Sequence, residues 1–182
     1  ERAKEHIREF QLESCIHTRL SDGVLALHPG EADSVLIAGM GGALTIKILS
    51  EGEQVLKSVK ELILQPQSEI DKVRRYLEKA GYRIIQEDMV YEDGKYYPVM
   101  KAVAGEMHYN REIFYQYGKL LLEAGHPVLK DYLEQRRNVC ENIRRKLMQD
   151  GRKEERTQKR IRQIQEEIRQ IQEALAYDSI EV

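Results

Sequence analysis

Hydrophobic and polar positions follow two different patterns along the chain. Up to about residue 108, short apolar runs separated by amphipathic stretches predict strands and helices in alternation. The runs at 35–38 and 61–66 are continuous, which is typical of parallel strands buried on both faces. This order indicates an α/β sheet with crossover helices. The helices are predicted at 2–10, 43–58 and 70–80.

Turn signals refine this outline. Residues 15–20 resemble a short strand that is closed by a turn at Asp22-Gly23. Two β-rich runs flank Glu92-Asp93-Gly94-Lys95, which is a hairpin signal. Pro98 is expected at an edge or a bulge, because it has no N–H to donate to a ladder. We therefore expect a mostly parallel sheet finished by an antiparallel hairpin.

From about Tyr109 the pattern is wholly helical, and it contains the clearest periodicity in the chain. Apolar residues repeat there at spacings of three and four, the spacing of a heptad seam. A looser stripe precedes it, and QDGRKE with Gly151 separates the two, so they should form an antiparallel hairpin. We expect a sheet domain at 1–107 and a helical, coiled-coil domain at 108–182. The seam is Ile161, Ile164, Ile168, Ile171 and Leu175, and the stripe is Leu129, Leu133, Val139, Ile143 and Leu147.

Charge is distributed unevenly over the 182 residues. The formal net charge is −2, yet residues 128–176 carry 13 Lys and Arg against nine Asp and Glu. Cys15 and Cys140 lie far apart, and the five histidines show no ligand spacing, so neither a disulfide framework nor a metal site is indicated. No apolar run approaches the roughly 20 residues that cross a bilayer, and no signal peptide opens the sequence. A cytoplasmic protein is expected.

Glycines follow the apolar run at 35–38. Gly39, Gly41 and Gly42 lie where the carboxyl end of a strand meets a helix, the usual ligand crevice of open α/β sheets. Glycine lets a ligand or another backbone come close. The alternative is a tight turn that needs glycines for its own geometry. The run is neither a Gly-x-Gly-x-x-Gly fingerprint nor a Walker loop.

Four segments, followed by the helical hairpin, resemble a known family: LSDGVLAL, DSVLIAGMGGALTIKIL, LILQPQSEIDKVRRYLEKAGYRI and YEDGKYYPVMKA. In this order they are similar to the bacterial TrmK family of S-adenosylmethionine-dependent methyltransferases, which act on N1 of the adenine at position 22 of tRNA. The likeness runs over almost the whole chain. It implies an incomplete Rossmann-like class I methyltransferase sheet with a C-terminal helical hairpin.

The resemblance implies a cofactor site. The Asp-Gly at 22–23 matches one that lies beside the cofactor's adenine, whose amine can donate to a carboxylate; a turn-capping Asp is the alternative. Residues 39–42 occupy the place where amino-methylating relatives carry Asn/Asp-Pro-Pro-Tyr, at the meeting of methyl donor and target base. Met40 packs either on that base or in the core. The predicted cofactor-binding residues are Asp22, Gly23, Gly39, Met40, Gly41 and Gly42.

The resemblance also implies contacts with tRNA. Pro66 and Gln67 match a Gln-Pro-Asn of the family, although this chain has Gln where Asn is usual. Tyr91 and Tyr97 are candidates for stacking on bases, with cross-strand packing as the alternative. Cations near the far end of the predicted arm suit phosphates, unless they form only a solvated face. They are Arg136, Arg137, Arg144, Arg145, Lys146, Arg152, Lys153, Arg156, Lys159, Arg160 and Arg162, with Arg144, Arg145 and Lys146 as the central set.

Two cofactor elements of class I methyltransferases are not among the 182 residues: the glycine-rich turn after the first strand and the acidic residue that ends the second. The helix at 2–10 resembles the one after strand two, so we expect a preceding segment to be missing. The sheet should then have four or five strands, with 15–20 either displaced or paired with 35–38. We expect this chain alone to be inactive and not to bind the cofactor tightly; micromolar binding by calorimetry would contradict this.

Adenine N1 already carries a lone pair, so methyl transfer needs alignment more than a base. The sequence offers no convincing general base, and we name no catalytic acid or base. Two other classes remain open. One is a non-catalytic RNA-binding or coiled-coil interaction protein. The other is a hydrolase or nucleotide-binding enzyme, although the chain has no Gly-x-Ser-x-Gly elbow. A monomer is expected, with an arm-mediated dimer as the alternative.

Overall fold

A computed structural model describes residues 2–149 and 155–177 of the chain. An exposed helix, α1 (Arg2–Glu9), precedes a loop that extends to residue 33. The sheet region then contains β1 (Ser34–Met40), α2 (Gly42–Glu51), α3 (Glu53–Leu56), β2 (Glu61–Pro66), α4 (Ile70–Lys79), β3 (Tyr82–Glu92) and β4 (Lys95–Ala104). The helical region contains a π-helical turn (Phe114–Gly118), α5 (Lys119–Glu123), α6 (Pro127–Gln149) and α7 (Glu155–Leu175). None of the described helices is both long and apolar enough to cross a membrane.

The four strands form one mixed sheet in the order β1-β2-β4-β3. β1 and β2 are parallel, whereas β4 is antiparallel to both of its neighbours. The α/β class is confirmed, but the expectation of a mostly parallel sheet is wrong for the described strands. The reason is the tight hairpin at Asp93-Gly94, where both residues have positive φ: it returns β4 alongside β3 and against β2.

Pro98 lies where the sequence predicts it. The pairing of β4 with β2 ends at Met100, so Pro98 is in the part of β4 that has only β3 as a described ladder neighbour. A residue without an N–H is tolerated there because no second strand needs its hydrogen bond.

Two expectations about the first part of the sheet are wrong. β1 buries one face only: Val35 and Ile37 are 6% and 5% exposed, but Leu36 between them is 67% exposed because no described element covers it. Residues 15–20 form no strand and are exposed. They make no ladder with β1, and an ion pair between Arg19 and Glu31 holds the loop instead.

The helix predicted over 43–58 is divided in two at Gly52. The Gly52 N–H closes α2 on the carbonyl of Ile48, and α3 starts at the next residue. Glycine is a poor helix former, which explains the break. The apolar side chains of both pieces, among them Leu49 and Leu56, still pack against the sheet.

The helical hairpin is confirmed. Ile164, Ile168 and Ile171 of α7 are 5% exposed or less and face α6. Arg136 Nε donates to Glu167 Oε1 at 2.6 Å, a pairing that only antiparallel helices allow at this sequence separation. On α6 the predicted stripe is confirmed at Leu129 and Leu133, which are buried, and at Ile143 and Leu147, which pack against the same cluster. It is wrong at Val139, which is 46% exposed, because the next residue, Cys140, is the one that is buried. The connection predicted at Gly151 lies outside the described residues.

A buried ion pair joins the sheet region to the helical region. Arg74 of α4 and Glu87 of β3 are 1% and 0% exposed, and Arg74 Nε donates to Glu87 Oε1 at 2.9 Å. Arg74 also donates to the carbonyl oxygen of Tyr115 in the π-helical turn at 2.7 Å. Glu87 accepts the N–H of Leu120 at 3.1 Å. The pair therefore satisfies backbone groups that the irregular turn leaves without helical partners.

Candidate functional site

The carboxyl ends of β1 and β2 meet in a short irregular stretch that we call the glycine floor, residues 39–42. Gly39 is the extra residue of a β-bulge, because Ala38 pairs with Gln65 and Met40 pairs with Pro66. Its φ is +73°, a conformation that glycine adopts without strain. A Cβ at this position would meet nothing nearer than the Gln67 amide nitrogen at 4.0 Å. Gly39 thus leaves open space beside the strand ends.

At positions 41 and 42 the contact that favours glycine comes from the chain itself. The Gly42 N–H donates to the carbonyl oxygen of Ser68 at 3.0 Å, and a Cβ on Gly42 would lie 2.4 Å from that oxygen. A Cβ on Gly41 would lie 3.2 Å from Ser68 Oγ. The chain's own 68–69 loop therefore requires Gly42. Open space of the kind expected for a ligand is found beside Gly39, whereas the space beside Gly41 and Gly42 is bounded by Ser68.

Sequence reasoning missed one residue of this floor. Gln65 Oε1 accepts the Gly39 N–H at 2.8 Å, which fixes the bulge. Its Nε2 is buried and has no hydrogen-bond partner among the described residues. A buried amide that lacks a partner is costly, so this donor is available to a ligand that carries an acceptor. The signal was present, because Gln65 directly precedes the Pro66-Gln67 pair that the sequence singled out.

The Asp22-Gly23 turn packs beside α2, the helix that begins at the floor. Gly23 has a φ of +59°, as the predicted turn requires. Asp22 is exposed, and Lys47 Nζ of α2 lies 3.5 Å from its Oδ2. The Arg19 guanidinium hydrogen-bonds the Glu31 carboxylate at the base of the same loop and lowers the pKa of Glu31 to about 2. The turn is therefore fixed by ion pairs rather than by a strand.

A second concave surface adjoins the floor. Pro66 is buried, and the Gln67 N–H donates to the Met40 carbonyl oxygen at 2.8 Å. This hydrogen bond ties Gln67, the first residue after β2, to the glycine floor. The Gln67 side chain lines a cavity of about 480 Å³ between the β3–β4 hairpin and α6. We call it the tyrosine pocket. Its lining includes Tyr96, Tyr97, Tyr117 and Tyr132.

The two tyrosines singled out from the sequence occupy different environments. Tyr97 lines the tyrosine pocket. Tyr91 lies outside the lining, is 51% exposed, and packs on Tyr96 with ring centroids 4.6 Å apart. Burial, together with the hydrogen bond that Tyr96 donates to Asp131, raises the pKa of Tyr96 to about 12. Cross-strand packing, the alternative open for both tyrosines, thus describes Tyr91.

The basic residues of the arm are far from the floor. Arg144, Arg145 and Lys146 lie near the end of α6 and pair with no acidic residue among those described. Arg144 is fifteen residues beyond Leu129, which lines the tyrosine pocket, or about 22 Å along the helix. Two further predicted cations, Arg152 and Lys153, lie outside the described residues.

The described residues contain no group of three or more His, Cys, Asp or Glu side chains able to hold a metal ion. Cys140 is buried in the helical hairpin, and burial raises the pKa of its thiol. Within the described part of the chain, the chemistry on offer is therefore that of hydrogen bonds, aromatic faces and open backbone.

Comparison with known proteins gives the same outline. The family model described as TrmK, tRNA (adenine(22)-N(1))-methyltransferase, matches residues 1–173. The tRNA (adenine(22)-N(1))-methyltransferase of Bacillus subtilis strain 168 is 42% identical over 104 residues, 57% of this chain. The chain spans 44% of the length of that curated relative.

Solved structures share the fold over 95% of the chain. The B. subtilis M1A22 tRNA methyltransferase TrmK is 29% identical with a TM-score of 0.82, and 76% of its chain is covered. Sp1610 of Streptococcus pneumoniae, solved in complex with S-adenosyl-L-methionine, is 27% identical with a TM-score of 0.82, and 74% is covered. An uncharacterized Listeria monocytogenes protein has a TM-score of 0.89 at 27% identity, with 76% covered. From the match over residues 1–173, this chain belongs to the TrmK family of tRNA (adenine(22)-N(1))-methyltransferases.

Proposed function

We propose that this protein takes part in the S-adenosyl-L-methionine-dependent methylation of N1 of adenine 22 in tRNA. Family membership over residues 1–173 is the observation that carries the proposal. The mixed α/β sheet with an open floor at its strand ends supports it, because such crevices are where open sheets bind ligands.

The cofactor and the target base would meet at the glycine floor. The residues fit a bound ligand in two respects: Gly39 leaves open space, and the buried Gln65 Nε2 has no described partner. S-adenosyl-L-methionine supplies the methyl group on a sulfonium. Asp22 would accept from an adenine amine, and Gly23, Met40, Gly41 and Gly42 would line the approach. A floor without bulky side chains lets donor and acceptor align, which is most of what this reaction needs.

We assign tRNA binding to two surfaces. Near the floor these are Pro66, Gln67 and Tyr97, and on the arm Arg144, Arg145 and Lys146. The fourth candidate near the floor, Tyr91, packs on Tyr96 outside the pocket, and we assign it to cross-strand packing. We divide the chain into a methyltransferase part at 1–107 and a helical part at 108–182. The two buried clusters support this division, although Met89 of β3 packs with the helical cluster.

We further propose that the protein acts as a monomer. The heptad seam of α7 is already buried against α6 within one chain, so it is not free to pair with a second copy. Sedimentation that finds a dimer which disappears when the arm is removed would contradict this.

The test is methyl transfer to a defined position. The complete product of the gene is incubated with methyl-labelled S-adenosyl-L-methionine and two tRNA transcripts that differ only by adenine or guanine at position 22. A methyl group on N1 blocks the pairing edge of adenine, so reverse transcription should stop at position 22 of the adenine transcript alone.

The 182-residue chain is assayed beside it, together with calorimetric titration of the cofactor. Equal labelling of the two transcripts would overturn the proposed position of methylation. No labelling of either transcript, with tRNA still bound, would favour a non-catalytic RNA-binding role.

A further inference from the structure

The tyrosine pocket is separate from the glycine floor but adjoins it. None of residues 39–42 is in its lining, whereas Gln67, whose N–H is bonded to Met40, is. Its volume of about 480 Å³ lies in the range of small-molecule sites and accommodates one nucleotide. A ligand chain that crosses the floor would therefore meet a second recess beside it.

The walls of the pocket suit a flat aromatic ligand. The hydroxyls of Tyr97, Tyr117 and Tyr132 make no hydrogen bond to any described residue. Tyr97 also has no ring contact among the described aromatic side chains, unlike Tyr132, whose ring packs edge-on against Tyr96 at 5.1 Å. A face without a stacking partner and unused hydroxyls can bind a base by stacking and by hydrogen bonds to its edge.

The charges in the pocket suit a single nucleotide rather than a cluster of phosphates. Arg74 is fully engaged by Glu87 and by the carbonyl oxygens of Tyr115 and Gln116. Lys95 is exposed, lines the pocket and forms no ion pair with a described acidic residue. A cation that pairs with no described acidic residue, placed at the edge of an aromatic recess, matches one phosphate attached to one base.

We propose that the tyrosine pocket binds an unpaired nucleotide of the substrate RNA adjacent to the one that is methylated, with Tyr97 stacking on its base and Lys95 contacting its phosphate. This rests on the proposed function, which brings the target base to the glycine floor. The pocket would then hold the RNA strand open beside the target base. The free energy lost when the target base leaves the stack is offset by stacking of the neighbouring base on Tyr97.

Single-tryptophan variants test the occupant directly. The chain contains no tryptophan, so Tyr97→Trp and Tyr91→Trp each place one fluorophore on the same hairpin, inside and outside the pocket. A short single-stranded RNA should quench the emission of Tyr97→Trp and leave that of Tyr91→Trp unchanged, because a stacked base quenches an indole. Ribose 5-phosphate, which has no base, should quench neither.

The same titration separates two sources of the ligand. AMP should quench Tyr97→Trp only at concentrations far above those of the RNA, since it lacks the neighbouring phosphates. If AMP binds as tightly as the RNA, the pocket is a site for a free nucleotide and the RNA assignment is wrong. Equal quenching of both variants, or RNA bound in a gel-shift assay without quenching of Tyr97→Trp, would also overturn the proposal.

An abasic series identifies which nucleotide enters. tRNA transcripts lacking the base at position 21, 22 or 23 are bound to the wild-type complete gene product and to its Tyr97→Leu and Tyr91→Leu variants. Loss of one neighbouring base should weaken binding to wild type by about tenfold and should have little further effect on Tyr97→Leu, because the two changes remove the same stack. Tyr91→Leu should behave as wild type.

One control separates a loss of affinity from a loss of fold. It is the urea unfolding midpoint of the Tyr97→Leu and Tyr91→Leu variants. If abasic changes at 21 and 23 act independently of Tyr97, the pocket proposal fails while methylation at position 22 stands. If the coupling is found but no methyl group is transferred, the pocket remains an RNA site and the proposed function fails.

Discussion

Neighbouring glycines of the floor are required for different physical reasons. Gly39 is the bulged residue with a φ of +73° and open space beside it. Gly42 has no such φ; it is tight because the Ser68 carbonyl oxygen occupies the space of a side chain. Gly41 faces only the rotatable Ser68 hydroxyl. We propose a role in ligand binding for Gly39, whereas Gly42 is required by the fold.

Substitution of the adjacent glycines Gly41 and Gly42 should show how much the Ser68 carbonyl contact contributes to stability. Gly42→Ala places a Cβ 2.4 Å from a backbone oxygen, so the 68–69 loop must move and the free energy of unfolding should fall by about 1–3 kcal/mol. Gly41→Ala is the matched control: its φ is −66° and Ser68 Oγ at 3.2 Å can rotate away, so the loss should be smaller. Urea denaturation measures both. Equal losses would show that the carbonyl contact is not the cause.

At the scale of elements, the irregular turn before α5 depends on a charge pair from the sheet region. The π-helical turn Phe114–Gly118 leaves carbonyl oxygens that Arg74 binds, and Glu87 accepts the N–H of Leu120 just beyond it. α4, β3 and the start of the helical region are thus joined at one buried point. The position of the helical region on the sheet follows from this junction, and so does the wall of the tyrosine pocket that Gln116 and Tyr117 provide.

Removing one charge of this pair should lower the free energy of unfolding strongly. Glu87→Gln keeps the shape but leaves the Arg74 guanidinium buried without a counter-charge, which typically costs about 3–5 kcal/mol. The double change Arg74→Met with Glu87→Leu removes both charges but leaves the carbonyl oxygens of Tyr115 and Gln116 and the N–H of Leu120 without these partners, so it should recover little of that loss. The exposed pair Glu166–Arg169, with side chains 51% and 60% exposed, is the control: Glu166→Gln should change the unfolding free energy by less than about 1 kcal/mol. Thermal and urea unfolding measure all three.

At the scale of the whole molecule, basic charge and the candidate reaction site are at different places. The floor is at the strand ends, whereas Arg144, Arg145 and Lys146, which pair with no described acidic residue, lie near the end of α6. Arg144 is about 22 Å along the helix from Leu129 of the tyrosine pocket. An RNA that reaches both would have to extend along the arm. A folded tRNA is long enough for this, which a single nucleotide or a short peptide is not.

Neutralising that end of the arm should change how salt affects binding. Replacing Arg144, Arg145 and Lys146 with Ala should lower the slope of log K against log salt concentration by about 2–3, since each phosphate contact contributes about 0.7–0.9. Nitrocellulose filter binding of tRNA at several salt concentrations measures the slope.

A charge-matched control is available on the sheet region. Lys57, Lys60 and Lys72 are exposed and already paired with Glu53, Asp33 and Glu69. Their triple replacement with Ala alters the net charge by the same amount, and the slope should stay near that of the wild type. If the arm variant also keeps the wild-type slope, the arm cations do not contact phosphates and form only a solvated face.

Local patterns were sufficient for most of the elements and for the α/β class of the fold. The runs at 35–38 and 61–66, the Asp93-Gly94 turn and the isoleucine seam of α7 fixed strands, hairpin and helical arm, because apolar period and turn chemistry are properties of neighbouring residues. Cys140 shows the limit, since a shift of one helical position depends on the partner helix.

Long-range contacts decided what the sequence left open. Two predictions were wrong: a strand at 15–20, and burial of β1 on both faces. A strand needs a neighbouring strand to pair with, and a buried face needs another element packed on it, so neither can be read from the segment alone. Only the tertiary structure showed that the Ser68 carbonyl oxygen requires glycine at position 42 and that the Gln65 side chain accepts the Gly39 N–H. It also showed that Tyr97 lines the tyrosine pocket and Tyr91 does not. The first two contacts join residues more than twenty positions apart. The difference between Tyr97 and Tyr91 depends on which elements pack around each ring. A pattern of neighbouring residues contains neither kind of information.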